Sequence, residues 1–222
     1  MITATRKPLD DIKAMIRPFK KVLIAGCGSC VAECAAGGEK EVAQLASSLR
    51  MAFKLEGQAI ELNEITVDRQ CVNIFLDQLE QPTQANEAVL SLACGAGVQA
   101  LAERHPDRHV FPALDTQFLG QTKQPGLWLE NCLGCGQCKL YYFGAVCPLA
   151  RCAKQLFNGP CGGSQKGKCE VDPDKPCAWQ LIIDRLGALN ALDRLEEVYE
   201  PVDWSCKQGR GPRKIVREDQ QS

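Results

Sequence analysis

The chain has 222 residues, with 26 basic and 27 acidic side chains, 14 cysteines and two histidines. A net charge of −1 gives no electrostatic basis for binding nucleic acid or anionic lipid, so neither is expected as a partner. The first residues lack the apolar core of a signal peptide, and no stretch approaches the roughly 18 apolar residues of a membrane helix. We therefore expect a cytoplasmic protein without membrane insertion.

Hydrophobic periodicity predicts helices and strands that alternate along the first half of the chain. Leu9, Ile12 and Ile16 share one face of a short helix, and residues 21–25 form an apolar run typical of a buried strand. The predicted elements are helices at 9–17, 39–54, 72–79, 98–105 and 179–198, and strands at 21–25, 59–67, 87–93 and 108–111. Strands that alternate with helices in this way predict an α/β fold with a small, mostly parallel sheet.

The composition of the chain changes near residue 120. Between residues 131 and 176 Gly, Pro and Cys dominate, and hydrophobic periodicity is lost. A long segment without regular structure is unusual in a compact domain unless metal ligation replaces a hydrophobic core. We predict an α/β domain at 1–119, followed at 120–222 by a cysteine-rich metal-cluster domain with C-terminal helices and a flexible tail.

The number of cysteines indicates metal binding. A reducing cytoplasm disfavours disulfides, so many thiols in one chain are more typical of metal sites. The two histidines, His105 and His109, are expected to be exposed polar residues of a loop. Any metal must then be held mainly by thiolates, which select zinc or iron–sulfur clusters.

The first cysteine group follows the first predicted strand with the spacing C-x2-C-x3-C. A dinucleotide-binding glycine fingerprint would occupy this turn, but Val31 stands at the position of its third glycine. Open parallel sheets bind ligands at the carboxyl ends of their strands, so thiols that follow the first three strands are expected to converge there. These thiols are Cys27, Cys30, Cys34, Cys71 and Cys94.

Four thiolates suffice for one [4Fe-4S] cluster. We predict that the ligands of the first cluster are Cys27, Cys30, Cys34 and Cys94. Cys71 is either an alternative fourth ligand or a buried core thiol.

The second cysteine group has eight members, Cys132, Cys135, Cys138, Cys147, Cys152, Cys161, Cys169 and Cys177. Its opening C-x2-C-x2-C is how the bacterial ferredoxin run begins, and in that run a fourth cysteine follows after three residues and precedes a proline. Here Cys147 and Pro148 come after eight residues. By analogy Cys147 serves a different cluster from the triplet, although spacing does not fix the pairing. We predict that the triplet and Cys147 are cluster ligands.

The last four cysteines of this group contain no C-x2-C pair, so both iron and zinc stay open as their metal. Eight thiols accommodate two cubanes, two zinc sites, or one of each. Cys206 stands alone and is not expected to be a ligand. With the first group, the predicted cofactors are two or three [4Fe-4S] clusters, with zinc as the alternative. No nucleophile–base pair and no phosphate loop is recognisable, so no active site of its own is expected.

Three segments of the chain resemble a known family. They are AGCGSCVAECAAGGEKEV at 25–42, LACGAGVQALAE at 92–103, and NGPCGGSQKGKCEV at 158–171 followed by CAWQLIIDRL at 177–186. Over residues 20–186 the chain is similar to the MetV-type iron-sulfur subunit of bacterial methylenetetrahydrofolate reductase. The resemblance implies a non-catalytic electron-transfer subunit of an oxidoreductase of one-carbon metabolism. It implies a TIM-barrel flavoprotein partner, the catalytic subunit that forms methyl-tetrahydrofolate.

The resemblance also implies ferredoxin or heterodisulfide-reductase-like subunits as electron donors, and the family is associated with bound zinc. The alternative hypothesis is a zinc-stabilised structural or assembly module without a redox role.

Overall fold

A computed structural model describes residues 1–206, 213–217 and 219 of the chain. The chain divides into two compact units, unit 1 from Met1 to Leu129 and unit 2 from Glu130 onwards. Much of the predicted flexible tail, with Lys207 and Arg210, lies outside the described residues, as does the side chain of Cys206. None of the described helices is long and apolar enough to cross a membrane.

Helices separate the successive strands of unit 1 as far as the fifth strand, and the sequence predicts this alternation from the second strand onwards. Its strands are β1 Ile2–Arg6, β2 Lys21–Cys27, β3 Glu61–Val67, β4 Ala88–Leu92, β5 His109–Pro112, β6 Leu114–Gln124 and β7 Leu127–Cys132, the last of which crosses the unit boundary. Its helices are α1 Leu9–Ile16, α2 Cys30–Glu33, α3 Glu39–Leu55, α4 Asn73–Leu76, α5 Glu80–Gln84 and α6 Gly95–Arg104, with a 3-10 turn at Asp77–Leu79.

A four-stranded parallel sheet forms the centre of unit 1, with the strand order β3-β2-β4-β5. In the register of β2 and β3, Cys27 at the carboxyl end of β2 lies opposite Val67 at the end of β3. β2 is buried along nearly its whole length, as expected for a central strand covered on both faces. The prediction of a parallel α/β sheet is confirmed.

Helices cover both faces of the parallel sheet. Val22 and Ile24 of β2 belong to the core that also contains the apolar faces of α1 and α3, whereas Leu23 and Ala25 pack in the core on the opposite face. The residues of β2 alternate between the two cores because successive side chains of a strand point to opposite faces of the sheet.

A second sheet, which the periodicity of the sequence does not predict, has the strand order β1-β6-β7. β1 pairs with β6 in the antiparallel direction, from Ile2 opposite Leu119 to Arg6 opposite Leu114. Most side chains of β6 are exposed or only partly buried, so the strand carries little hydrophobic alternation. The predicted domain boundary at 119–120 lies within β6.

Unit 2 has little regular structure, as the loss of periodicity between residues 131 and 176 indicates. Its described helices are α7 Pro148–Arg151 and α8 Ala178–Ala188, with 3-10 turns at Leu140–Phe143, Leu192–Glu196 and Trp204–Cys206. Trp179, Ile182 and Leu186 of α8 pack against Phe143 in a small core. The helix predicted at 179–198 is too long, because Asn190 adopts a φ of 52°, which an α-helix does not tolerate.

The expectation that both histidines are exposed is wrong for His105. Its side chain is 1% exposed, and its Nε2 lies 3.9 Å from a carboxylate oxygen of Glu80. His105 directly follows α6 and its backbone N–H donates to the carbonyl of Leu101, so it belongs to the end of the helix and not to an open loop. His109 begins β5 and is exposed.

Candidate metal centres

The cysteines of unit 1 lie at the carboxyl ends of the parallel strands. Cys27 is the last residue of β2, Cys71 lies in the loop after β3, and Cys94 follows β4 as the residue that precedes α6. Cys30 and Cys34 lie at the start and just beyond the end of the short helix α2. The predicted placement of these thiols after three neighbouring strands is therefore correct, whereas their role as ligands stays a prediction.

The surroundings of Cys27 disfavour an unligated thiolate, but they provide backbone N–H groups that can donate to the sulfur. Burial raises the pKa of Cys27, and the nearby thiols of Cys71 and Cys94 raise it further. The backbone N–H groups of Gln70 and Ser29 donate to the sulfur and act in the opposite direction on the pKa. Such N–H groups stabilise a thiolate once a metal replaces its proton.

Cys34 and Cys71 differ in exposure. Cys34 is 6% exposed and packs against β1, where the backbone N–H of Ala4 points at its sulfur from 3.5 Å. Cys71 is exposed, which excludes the alternative that it is a buried core thiol.

The eight cysteines between residues 132 and 177 line two separate cavities of unit 2, four in each. The first cavity has a volume of ≈ 270 Å³. Its thiols are those of Cys132, Cys135, Cys138 and Cys147. Cys147, which the ferredoxin analogy assigns to a different cluster, thus shares a cavity with the triplet.

Local structure orients the thiols of the first cavity. The backbone N–H of Gly134 donates to the sulfur of Cys132 over 3.4 Å. Cys147 precedes α7, and burial raises the pKa of its thiol, while the N–H groups of Ala150 and Leu149 oppose that shift by donating to the sulfur. The pKa of Cys147 is raised further by the thiol of Cys135, which lies close by.

The second cavity has a volume of ≈ 230 Å³. Its thiols are those of Cys152, Cys161, Cys169 and Cys177. The backbone N–H of Gly163 donates to the sulfur of Cys161 over 3.4 Å, in the same i to i+2 arrangement as at Cys132. Cys177 directly precedes α8, so its position follows from the helix that builds the core of unit 2. An ion pair between Lys154 and Glu170 closes part of the cavity wall.

The two kinds of metal centre predicted from the sequence differ in how closely they bring their thiolates together. Four thiolates at about 2.3 Å from one zinc ion lie only about 3.8 Å from one another. Among the described residues, no three His, Cys, Asp or Glu side chains are arranged to hold a single metal ion. The thiols instead surround open cavities, and four thiols are the ligand number of a [4Fe-4S] cluster. Four thiols are also the ligand number of a four-thiolate zinc site, so each donor set fits either group in number.

A larger depression without cysteines lies at the amino-terminal end of β3. It measures ≈ 880 Å³ and is lined in part by Lys20, Arg50 and Lys54. Arg50 Nη2 lies 2.7 Å from a carboxylate oxygen of Glu64, so this cation is already paired. Its size does not make it the functional site.

Sequence reasoning missed Gln70 and Ser91, two fully buried polar residues beside the cysteines of unit 1. The side chain of Gln70 accepts a hydrogen bond from Ser91 Oγ over 2.6 Å. The sequence around Gln70 is polar and has no hydrophobic periodicity, so its burial could not be predicted. The only available signal is its position directly before Cys71.

The fold and the thiols define an α/β protein with three cysteine groups, two of which line cavities. Residues 111–205, slightly less than half of the chain, match the model of a family described as Methylene-tetrahydrofolate reductase C terminal. This match relates the region with both cysteine-lined cavities to methylenetetrahydrofolate reductases and so to an oxidoreductase system. No curated protein matches the chain.

One solved structure has limited similarity to the chain. It is described as a putative branched-chain amino acid ABC transporter from Rhodospirillum rubrum, with 19% sequence identity and a TM-score of 0.30. The alignment covers 47% of this chain and 28% of the transporter chain. A similarity this low does not bear on fold or function.

Proposed function

We propose that the chain is an iron–sulfur electron-transfer subunit of a methylenetetrahydrofolate reductase complex. One observation carries the proposal: the eight cysteines within the family match divide into two sets of four, and each set lines its own cavity. Four thiols around an open space fit a cubane better than a single ion.

The residues that would hold the two clusters of unit 2 are the four thiols of each cavity. A bound [4Fe-4S] cluster accepts and releases one electron at a time. The chain's own contribution is to gather four thiols at each cavity and to direct backbone N–H groups at their sulfurs, as Gly134 does at Cys132 and Gly163 does at Cys161. Hydrogen bonds to ligand sulfurs and limited solvent access are the means by which a protein sets the potential of a cluster.

The proposed partner is the flavoprotein that is the catalytic subunit of methylenetetrahydrofolate reductase. Its flavin would take up two electrons singly from this chain and use them, with two protons, to reduce methylene-tetrahydrofolate to methyl-tetrahydrofolate. Ferredoxin or a heterodisulfide-reductase-like subunit would supply the electrons. The chain would act in the cytoplasm and perform no substrate chemistry itself.

Iron and sulfide analysis of anaerobically purified protein tests the cofactor. Roughly 8 to 12 iron atoms per chain, with matching sulfide, are expected for two or three clusters. Protein that is folded, free of iron and loaded with zinc would overturn the redox function in favour of a zinc-stabilised assembly module.

Paired variants test the division of the thiols. Cys135→Ser and Cys161→Ser each replace one sulfur by oxygen, in the first and the second cavity respectively. Each variant should lose a different paramagnetic centre on reduction and about four iron atoms. Ser164→Ala, which alters the second cavity without touching a thiol, should keep both centres. Loss of the same centre in both cysteine variants would contradict the division.

The partner is tested by co-purification and by flavin reduction. The flavin of the purified catalytic subunit should be reduced by reduced ferredoxin at least tenfold faster when this chain is present. Equal rates with and without the chain would show that it is not the electron-transfer subunit.

A further inference from the structure

A buried glutamine ties together the three strand ends that carry thiols in unit 1. Gln70 is fully buried, and its Nε2 donates to the carbonyls of Ala25 over 2.9 Å and Gly26 over 3.0 Å, at the end of β2. Its Oε1 accepts from Ser91 of β4 over 2.6 Å. Because every polar atom of the amide is used, the loop after β3 is fixed to both neighbouring strands.

Each of these anchor points lies close to a cysteine in the sequence. Gly26 precedes Cys27, Gln70 precedes Cys71, and Ser91 lies three residues before Cys94. The thiols of Cys71 and Cys94 lie close enough to Cys27 to raise its pKa. The glutamine therefore fixes the backbone of three loops whose thiols are neighbours.

Two further contacts tighten the same edge of the sheet. A Cβ atom at Gly97 would lie 3.0 Å from the Cβ of Gln70, so the first turn of α6 packs directly on the glutamine. Arg69 Nε donates to Ser29 Oγ over 3.3 Å, which joins the loop after β3 to the residue that precedes Cys30. This hydrogen bond therefore connects the segment that contains Cys30 to the loop that contains Cys71.

The sulfurs of Cys34 and Cys27 face different parts of unit 1: that of Cys34 faces β1, whereas that of Cys27 lies 3.7 Å from the carbonyl oxygen of Asp68, in the loop that carries Cys71. The single S–H proton of Cys34 has two carbonyl acceptors within reach, those of Ala4 at 3.6 Å and Val31 at 3.5 Å, and the sulfur accepts from the N–H of Ala4 over 3.5 Å. The contacts of Cys34 are those of a residue that fastens α2 to β1.

We propose that Cys71, and not Cys34, completes the ligand set of the first centre, and that Gln70 is its positioning residue. The proposed ligands are Cys27, Cys30, Cys71 and Cys94. This inference rests on the proposed function, because it takes the bound group to be an iron–sulfur cluster held by four thiolates.

Matched serine variants of the full chain, purified without oxygen, test the ligand set. Cys71→Ser should lose about four iron atoms per chain and the paramagnetic signal of one centre. Cys34→Ser, which makes the same change of sulfur to oxygen and keeps the capacity to hydrogen-bond Ala4, should keep both. Retention of the centre in Cys71→Ser, or its loss from a Cys34→Ser protein that circular dichroism shows to be folded, overturns the proposal.

Alkylation of the wild-type protein tests the same point without any variant. Cys71 is exposed, so iodoacetamide should modify it readily unless a metal holds its sulfur. Mass spectrometry should show Cys71 protected at least tenfold in iron-loaded protein, with the protection lost after iron is removed by a chelator. Rapid labelling of Cys71 in protein that carries its full iron overturns the inference.

The role of Gln70 requires a readout that general destabilisation does not produce. Gln70→Ala keeps all four thiols but frees the loop after β3, so the first centre should lose at least half of its iron and show altered g-values. Thr83→Val, a change at another fully buried polar residue of unit 1, should leave occupancy and spectrum unchanged. An unaltered centre in Gln70→Ala excludes the positioning role.

The two proposals fail in different ways. Wild-type protein without iron contradicts the proposed function and removes the basis of this inference. Iron-loaded protein in which Cys71→Ser keeps every centre contradicts the ligand set alone.

Discussion

Gly37 allows the loop after α2 to approach the carboxyl end of β4 more closely than any side chain permits. A Cβ at this position would overlap the carbonyl oxygen of Leu92 and lie 2.8 Å from Cγ2 of Val31. The carbonyl of Gly37 accepts a hydrogen bond from the N–H of Cys27 over 2.9 Å, so the same contact positions the first cysteine. We predict that Gly37→Ala strongly destabilises unit 1.

The expected loss follows from the kind of atom that is displaced. Overpacking in a close-packed core typically costs 1–3 kcal/mol, and the upper limit applies where backbone rather than a flexible side chain must move. We therefore expect a loss of about 3 kcal/mol in the free energy of unfolding, equivalent to about a hundredfold in the ratio of folded to unfolded protein.

Hydrogen–deuterium exchange measures this loss within unit 1. The slowest amides of β2 should exchange about a hundredfold faster in Gly37→Ala, because their opening requires unfolding of the sheet. Gly95→Ala is the matched control at the same edge of the sheet, since its new Cβ would meet only Thr116 Oγ1, at 3.7 Å. Exchange in Gly37→Ala within threefold of that in Gly95→Ala would refute the reasoning.

Three further predictions concern other parts of the molecule. Trp179→Phe, which removes a hydrogen bond to a backbone carbonyl and part of the core of unit 2, should lower the free energy of unfolding in urea by about 2–3 kcal/mol. Gly187→Ala should raise it by about 0.5 kcal/mol, because the site in α8 is open and alanine favours a helix; a loss of stability would contradict this. Hydrogen bonds from Lys13 and then Arg17 hold the pKa of Glu56 below its usual value of 4.5. The stability from this pairing is present above pH 4.5 and lost as the pH falls through the lowered pKa, so Glu56→Gln should lower the thermal midpoint at pH 7 but not at pH 2.

The parallel sheet could be predicted from the sequence because β2 and β4 are short apolar runs and because helices follow β2, β3 and β4. β1 and β6 could not, since their residues are largely polar or half-exposed and their pairing joins distant parts of the chain. The helix predicted at 179–198 was too long because apolar spacing continues past Ala188, whereas backbone conformation at Asn190 does not.

The cysteines were recognisable from the sequence, but their grouping was not. Spacing joined the triplet at 132–138 correctly, yet the long loop before Cys147 made its association with the triplet ambiguous. Tertiary structure supplies that association, because Cys147 lines the same cavity. In unit 1 the sequence favoured Cys34 by its proximity to Cys30, while the hydrogen bonds to Ala4 that separate its environment from that of Cys71 depend on the unpredicted strand β1.

The pairing of β1 with β6 has a consequence for biosynthesis. The hydroxyl of Thr3 in β1 donates a hydrogen bond to the carbonyl of Phe118 in β6, which lies 115 positions later in the chain. At the usual rate of translation, β6 is synthesised on the order of ten seconds after β1. The four parallel strands emerge within that interval, so the edge with Cys27, Cys71 and Cys94 can assemble while the sulfur of Cys34 is still uncovered.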